Sequence, residues 1–439
     1  MKKFNIEKIV YIIVLLVMIL IPLLKLSTYI PTIENFYTNI FEIKRVYVLW
    51  GSIFLLLITY IYMIFSGKEK IGIIDIIVYI LIILAFFSTG YAINFIKAFF
   101  GEDYRYEGLL TILSYYFLIL NVKSIKSEKY KRNIIKLFIC IGIFQAIYAI
   151  LQSYTVLPFI RRHSSRYMAM GLCSNPNFFG SYMVMQSLLV GYMYIYRSKK
   201  RYLLIYILFS FSLYLAESTG PVLSALCALI FSIFIIPKKI KKIGVLIILM
   251  LLSFFCASKS LNFIHVNKFN TAIQEDWEIV EEVSSLTTKP KEKLGNGRLL
   301  LWENSLPLVK KYWLFGCGLD NFKDAYPNSG YVTYDKAHNV YLQISITNGI
   351  PALILFLLLL FIAFIKGIKY RKSLLFPIYM AFIGYSVQAF LNISVIDVAP
   401  YYYIMLGIIF SDNKESNNED KYDKRSYEYE MIDSDVLNI

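Results

Sequence analysis

Ile71-Gly-Ile-Ile-Asp-Ile-Ile-Val-Tyr-Ile-Leu-Ile-Ile-Leu-Ala-Phe-Phe-Ser-Thr-Gly-Tyr-Ala-Ile93 is the stretch that decides the fold. Its only charge, Asp75, sits near one end, and its length matches the roughly 17–25 residues that cross a bilayer core as a helix. A helix on a soluble protein would instead alternate an apolar face with a polar one. Runs of the same kind cover residues 9–24, 46–66, 134–157, 178–196, 220–237, 243–258 and 350–365, and shorter ones cover 108–122, 202–216, 374–390 and 393–410. Hydrophobic residues make up 58% of the 439, too many for a soluble chain with a surface to wet. The expected fold is an all-α polytopic integral membrane protein of about 12 transmembrane helices.

The net charge of +15 invites a nucleic-acid reading, but the positions of the charges argue against it. They cluster between alternate runs: Lys68 and Lys70; Lys123, Lys126, Lys129, Lys131 and Arg132; Arg197, Lys199, Lys200 and Arg201; Lys238, Lys239, Lys241 and Lys242; Lys366, Lys369, Arg371 and Lys372. Positively charged loops are retained in the cytoplasm, so this pattern puts both termini inside. The charge sets orientation in the cytoplasmic membrane, and no nucleic-acid partner is expected. Lys2 and Lys3 precede the first run, but no small-x-small cleavage site follows it, so it reads as a retained helix.

Four segments follow from this alternation. Residues 1–259 hold transmembrane helices 1–9, and 260–338 form a large extracytoplasmic loop between spans 9 and 10. Residues 339–411 hold helices 10–12, and 412–439 form a disordered cytoplasmic tail. Trp277, Trp302, Trp313, Pro290, Pro307 and Pro327 suit the large loop to a small folded cap rather than a linker. The tail carries nine acidic and four basic residues, a composition that cannot build a core. Its Asp433-Ser-Asp435 resembles the Asp-x-Asp metal pair of nucleotide-sugar glycosyltransferases, but it lies on the wrong side of the membrane from the other informative residues. Cys140, Cys173, Cys227, Cys256 and Cys317 have neither metal-site nor disulfide spacing and read as small buried hydrophobes. No repeat is evident and few charges fall at mid-span, which argues against an ion-coupled transporter.

The chemistry gathers on the outer side. Four stretches there are polar without a topological reason: Gly101-Glu-Asp-Tyr-Arg-Tyr-Glu-Gly108; Arg161-Arg-His-Ser-Ser-Arg166 with Gly171-Leu-Cys-Ser-Asn-Pro-Asn177; Gly297-Arg-Leu-Leu-Leu-Trp302 with Leu314-Phe-Gly-Cys-Gly-Leu-Asp-Asn-Phe322; and Lys336-Ala-His-Asn-Val-Tyr-Leu-Gln343 with Asn348-Gly-Ile-Pro351. His338 stands where the large loop meets an apolar helix, with Asn339 and Gln343 on one helical face beside it. Arginine on the outer side runs against the positive-inside bias, and its planar fork matches phosphate oxygens. Lipid-headgroup snorkelling is the competing account for Arg161 and Arg162. No outer-face spacing suits a metal, and no cofactor is called for.

This combination resembles the O-antigen ligase and O-antigen polymerase superfamily. Gly-Arg-x3-Trp, Gly-x-Gly-x3-Phe, Ala-His-Asn-x-Tyr-Leu-Gln and Gly-Ile-Pro carry the resemblance, supported by Asn175-Pro-Asn177 and Tyr104-Arg-Tyr-Glu-Gly108. The chain departs from the family pattern at Ala352 and at Ser218-Thr-Gly220, where many relatives have Ser-Arg-Gly. The resemblance implies a membrane glycosyltransferase that moves a glycan from an undecaprenyl-pyrophosphate carrier to a hydroxyl of a glycan, lipid or protein acceptor on the outer face of the membrane. It implies His338 as base, with Arg298 and Arg166 meeting the pyrophosphate. Arg105, Arg161, Arg162, Asn175, Asn177, Trp302, Asn339, Tyr341 and Gln343 would contact substrate. Glu102 and Asp103 are the reserve base. A lipid-linked oligosaccharide flippase and a non-catalytic envelope scaffold are the readings from other classes.

Overall fold

The computed structural model describes residues 5–26, 38–154, 169–260, 297–326, 334–373 and 375–411, and every regular element among them is a helix. The long helices are α1 (Ile6–Leu26), α2 (Thr38–Phe65), α3 (Ile73–Gly90), α5 (Leu109–Lys123), α6 (Glu128–Ser153), α7 (Pro176–Arg197), α8 (Lys200–Leu215), α9 (Thr219–Ile235), α10 (Ile240–Ser260), α14 (Ile350–Lys369), α15 (Phe376–Gln388) and α16 (Ala399–Phe410). Between them lie α4 (Phe95–Phe100), α11 (Arg298–Lys311), α12 (Phe322–Ala325) and α13 (Val340–Thr347). Each apolar run read from the sequence falls on one of the long helices.

Among the described residues, 7 helices are long and apolar enough to cross a bilayer, and α5, α9 and α16 are shorter apolar helices. The chain is a polytopic membrane protein. Its outward faces carry the hydrocarbon-facing side chains, such as Phe54, Ile58, Phe86, Leu251, Ile354 and Phe361, all exposed. The centre is different. α7 has the lowest mean hydropathy of the spanning helices, 1.2, and the highest buried share, 94%. It packs against α8, α9 and α15, so protein rather than lipid surrounds it and its polar groups find partners. Gln186, for example, donates to the Phe138 carbonyl at 2.7 Å and to the Tyr182 hydroxyl at 2.8 Å. α15, at 13 residues, is only about 20 Å long, which is acceptable where its ends abut protein.

The basic loops share one end of the bundle. There Lys123 pairs with Glu69 at 2.6 Å, Lys242 donates to the Ile195 carbonyl at 3.0 Å, and Lys366 donates to the Phe410 carbonyl at 2.8 Å. At the opposite end, α11–α13 build a second small core from Leu301, Leu308, Cys317, Phe322, Tyr326, Ala337 and Ile346. This cap is docked on the bundle. Phe315 stacks on Phe87 and Tyr91 with ring centroids 5.1 and 5.2 Å apart, and Asn321 receives the Asn94 N–H at 2.7 Å.

The cysteine expectation needs correction. Cys173 and Cys317 are buried, but Cys140, Cys227 and Cys256 are exposed on the bundle's outer surface, and all five are free. A surface that faces lipid accepts a small apolar side chain as readily as a core does.

Candidate functional site

The cap meets the bundle through tight backbone approaches, which explain the glycine motifs. The Cys317 N–H donates to the Ile346 carbonyl at 2.9 Å, and the Ile350 N–H to the Trp313 carbonyl at 2.7 Å. A Cβ on Gly316 would stand 2.1 Å from the Thr347 carbonyl oxygen, so only glycine permits the contact. Gly-x-Gly and Gly-Ile-Pro are therefore two sides of one seam, which fixes the far end of α13.

His338 lies just before that helix, in a left-handed conformation with φ of 49°. A non-glycine residue there costs roughly 1–2 kcal/mol, so its surroundings must impose it. They do so from both sides. The Ala337 N–H donates to Gln343 Oε1 at 2.8 Å, and the Ala337 carbonyl accepts Trp302 Nε1–H at 2.9 Å. Asn339 caps α13 by accepting the Tyr341 and Leu342 N–H groups at 3.0 and 3.1 Å. The Val340 N–H donates to the Ala389 carbonyl at 2.8 Å, and the Tyr341 hydroxyl to the Ser386 carbonyl at 2.7 Å. Trp302, Asn339 and Tyr341 thus spend these polar groups on holding the turn. Gln343 keeps a free donor, since its buried Nε2 has no partner among the described residues.

The half-buried His338 imidazole has its Nδ1 sealed from solvent and without a hydrogen-bond partner among the described residues. Burial lowers its basicity, and the charges of Arg298 and Arg105 lower it further, partly opposed by Asp335. The neutral ring is therefore favoured at neutral pH. Arg298 begins α11 and is half-buried, and burial alone pulls its guanidinium below the ordinary value. Arginine remains charged regardless, and no hydrogen bond or ion pair engages Arg298 among the described residues.

Arg105 comes from a different loop. Its Nε donates to Asp335 at 2.6 Å, and its guanidinium lies 5.3 Å from the Tyr104 ring centroid and 5.7 Å from that of Phe178. Burial would raise the Asp335 carboxyl, but the Arg105 charge and hydrogen bond outweigh it and hold Asp335 below the usual carboxylate range. Asn175 caps α7 by accepting the Asn177 N–H at 2.9 Å, and Asn177 Oδ1 accepts the Ser218 hydroxyl. Thr219, in the Ser218-Thr-Gly220 stretch, is exposed. Arg105 over Phe178, one residue beyond Asn177, brings a guanidinium to this corner from elsewhere in the chain.

The charges of Arg298 and Arg105 thus both bear on the His338 ring. Glu102 is not with them: it pairs with Lys97 at 2.7 Å and with Lys323 at 3.5 Å, and Asp103 beside it is exposed. Arg161, Arg162 and Arg166 lie outside the described residues, as do Trp277 and Asp433-Ser-Asp435. Asp335, Lys336, Asp320 and Glu107 also pack around these turns, although no sequence motif assigns them a role. Glu107 is buried, accepts the Tyr115 hydroxyl at 2.7 Å, and is raised by burial against the opposing charge of Lys336. The available signal was a carboxylate inside the Tyr104–Gly108 motif at the mouth of an apolar helix. Among the described residues, no three His, Cys, Asp or Glu side chains converge to hold a metal ion.

A neutral imidazole beside two guanidinium groups can take a proton from a hydroxyl and meet a departing phosphate. No curated protein matches the chain. Residues 204–357, which hold Arg298, Trp302, the Gly-x-Gly seam and His338, match the family described as O-antigen ligase.

Proposed function

We propose that this chain is a metal-independent, inverting glycosyltransferase of the O-antigen ligase or polymerase type. Its donor is a glycan on undecaprenyl pyrophosphate, and its acceptor is a hydroxyl of a glycan, lipid or protein. In this reading the twelve long helices all cross the cytoplasmic membrane, both termini are cytoplasmic, and the cap and His338 face outward. Residues 1–259 and 339–411 form the membrane part, 260–338 the outer loop and 412–439 the tail.

The observation that carries the reading is the half-buried His338, held in a strained turn, with its Nδ1 unpartnered among the described residues and the charges of two arginines bearing on it. A buried polar atom without a partner calls for a functional explanation, and an acceptor hydroxyl supplies one. His338 takes the hydroxyl proton as the oxygen attacks the anomeric carbon. A bond forms from that oxygen to the carbon, and the bond from the carbon to the pyrophosphate oxygen breaks. Undecaprenyl pyrophosphate leaves with the electron pair, its charge met by Arg298 and Arg105, with Arg166 as a further contributor. Attack opposite the leaving group inverts the anomeric centre. Trp302, Asn339 and Tyr341 support this reading as the frame of the turn, while Gln343 Nε2 is placed to donate to a sugar. Asn175 and Asn177 shape the α7 side, and Arg161 and Arg162 belong to the same outer face.

The direct test uses membranes containing the chain and a lipid-linked glycan donor, with EDTA present. Glycan transfer under these conditions supports the reading. Transfer that stops in EDTA and returns with a divalent ion would remove the metal-independent step.

A further inference from the structure

We propose that Asp320 is a positioning residue that locks the Arg105 turn and the His338 turn in register, an inference that rests on the glycosyltransferase reading of that site. Asp320 is buried and left-handed, with φ of 56°. Its own segment is fixed first. The Gly318 N–H donates to the Thr347 carbonyl at 3.2 Å, and Asn321 Nδ2 donates to the Asn94 carbonyl at 3.2 Å. From this platform one carboxylate reaches two other loops. Oδ2 accepts the Glu102 N–H at 2.8 Å and the Glu107 N–H at 3.1 Å, and Oδ1 pairs with the Lys336 ammonium.

Those partners bracket the site. Glu102 and Glu107 sit on either side of Arg105, in a turn whose Tyr104 and Tyr106 both have positive φ, 80° and 53°. The turn closes where a Cβ on Gly108 would stand 2.3 Å from the Gly101 nitrogen, so it is compact and strained. Lys336 lies two residues before His338 and next to Asp335, the partner of Arg105. A single buried carboxylate thus holds both ends of the Arg105–Asp335 bridge. Releasing it frees the two turns to separate, which opens the His338 ring to water and loosens Arg105 beside it. Asp320 touches no reacting atom in this arrangement. It acts through its neighbours.

The chain has three histidines, so replacing His163 and His265 by Gln leaves His338 as the single imidazole. Diethyl pyrocarbonate then reports the accessibility and titration of His338 in the full chain in lipid nanodiscs, followed by ultraviolet absorbance across a pH series. Asp320→Asn keeps the shape and removes the charge. It is expected to label several-fold faster than the parent, with its titration midpoint moved upward toward that of free imidazole. Lys336→Gln, which leaves both N–H contacts of Asp320 in place, should move the same two readings in the same direction by less. Unchanged rate and midpoint in Asp320→Asn would overturn the proposal. So would labelling as fast as in the detergent-denatured chain, because Asp320 would then support the whole fold. If Asp320→Asn does not accumulate, Lys336→Gln decides alone: a shift supports the clamp and no shift rejects it. Labelling reads the ring whatever reaction it serves, so this test fails separately from the transfer assay.

Discussion

Arg105 donates through Nε to the Asp335 carboxylate at 2.6 Å, and this bridge joins the loop ahead of α5 to the strand of chain that ends at His338. It brings a second guanidinium to the imidazole and leaves Arg298 as the cation with no protein partner among the described residues. Arg105 is tethered, whereas Arg298 has no such tether among the described residues.

His338→Ala should lower glycan transfer by about 10²–10⁴-fold with normal protein abundance, the range for loss of a general base. Glu102→Gln should stay close to wild type, because Glu102 is engaged by Lys97 and Lys323 at the cap surface. Polymer length and yield in cells, with immunoblotting for the chain, decide the matter. Wild-type polymer from His338→Ala would bring Glu102 and Asp103 forward as the base.

Arg298→Lys separates fork geometry from charge. Lysine keeps the positive charge and loses the paired donors, so a bidentate phosphate contact predicts a loss nearly as large as that of Arg298→Ala. Steady-state rates against donor concentration are the readout. Near-normal rates with lysine would reduce Arg298 to a diffuse electrostatic contribution.

The pH dependence has a definite sign. In the proposed mechanism the neutral imidazole is the active form, so kcat/KM should fall as pH drops through the His338 pKa, which burial, Arg298 and Arg105 hold below the ordinary histidine value. Arg298→Gln removes a charge that lowers this pKa and should move the acid limb to higher pH. Asp335→Asn removes a charge that raises it and should move the limb to lower pH. Limbs that move in the same direction would assign the titration to another group.

Trp302→Phe removes the Nε1–H bond to Ala337 while keeping an aromatic ring edge-on to Phe390, 5.4 Å away. It should cost about 1 kcal/mol of stability and reduce kcat more than it changes KM, since the bond orients the His338 turn. Asn339→Ala, which uncaps α13, should cost a similar amount, about 1 kcal/mol. Thermal unfolding in detergent and the split between kcat and KM test both variants. A pure KM effect would mean that Trp302 touches substrate instead.

Topology is tested in a chain lacking all five cysteines. Asn304→Cys, exposed on α11, should react with a membrane-impermeant maleimide in intact cells, and Ser198→Cys, exposed on the opposite end, should react only after lysis. The reverse pattern would invert the orientation and put His338 in the cytoplasm.

The bundle was legible in the chain because its rules are local. Bilayer thickness sets the length of each apolar run, and the positive-inside bias marks alternate loops, so the helices and their alternation could be read without knowing what packs against what. His338 and Arg298 stood out for a related reason, as residue types with no topological duty where they occur. Roles were not local. Trp302, Asn339 and Tyr341 look like ligand contacts in one dimension, yet Trp302 bonds the backbone beside His338, Asn339 the start of α13, and Tyr341 the Ser386 carbonyl of α15. Glu102 reads as a candidate carboxylate in the sequence, and its pairing with Lys97 is visible only in the fold. Asp320 and Lys336 stand inside the polar outer stretches and Asp335 just ahead of one, but their roles are not legible there, because a carboxylate's meaning depends on partners far along the chain: Glu102 and Glu107 for Asp320, Arg105 for Asp335. Only the packing of the cap onto α3 and the loop ahead of α5 closes those distances. That packing turns separate polar stretches into one imidazole whose Nδ1 has no partner among the described residues and which feels the charges of two guanidinium groups.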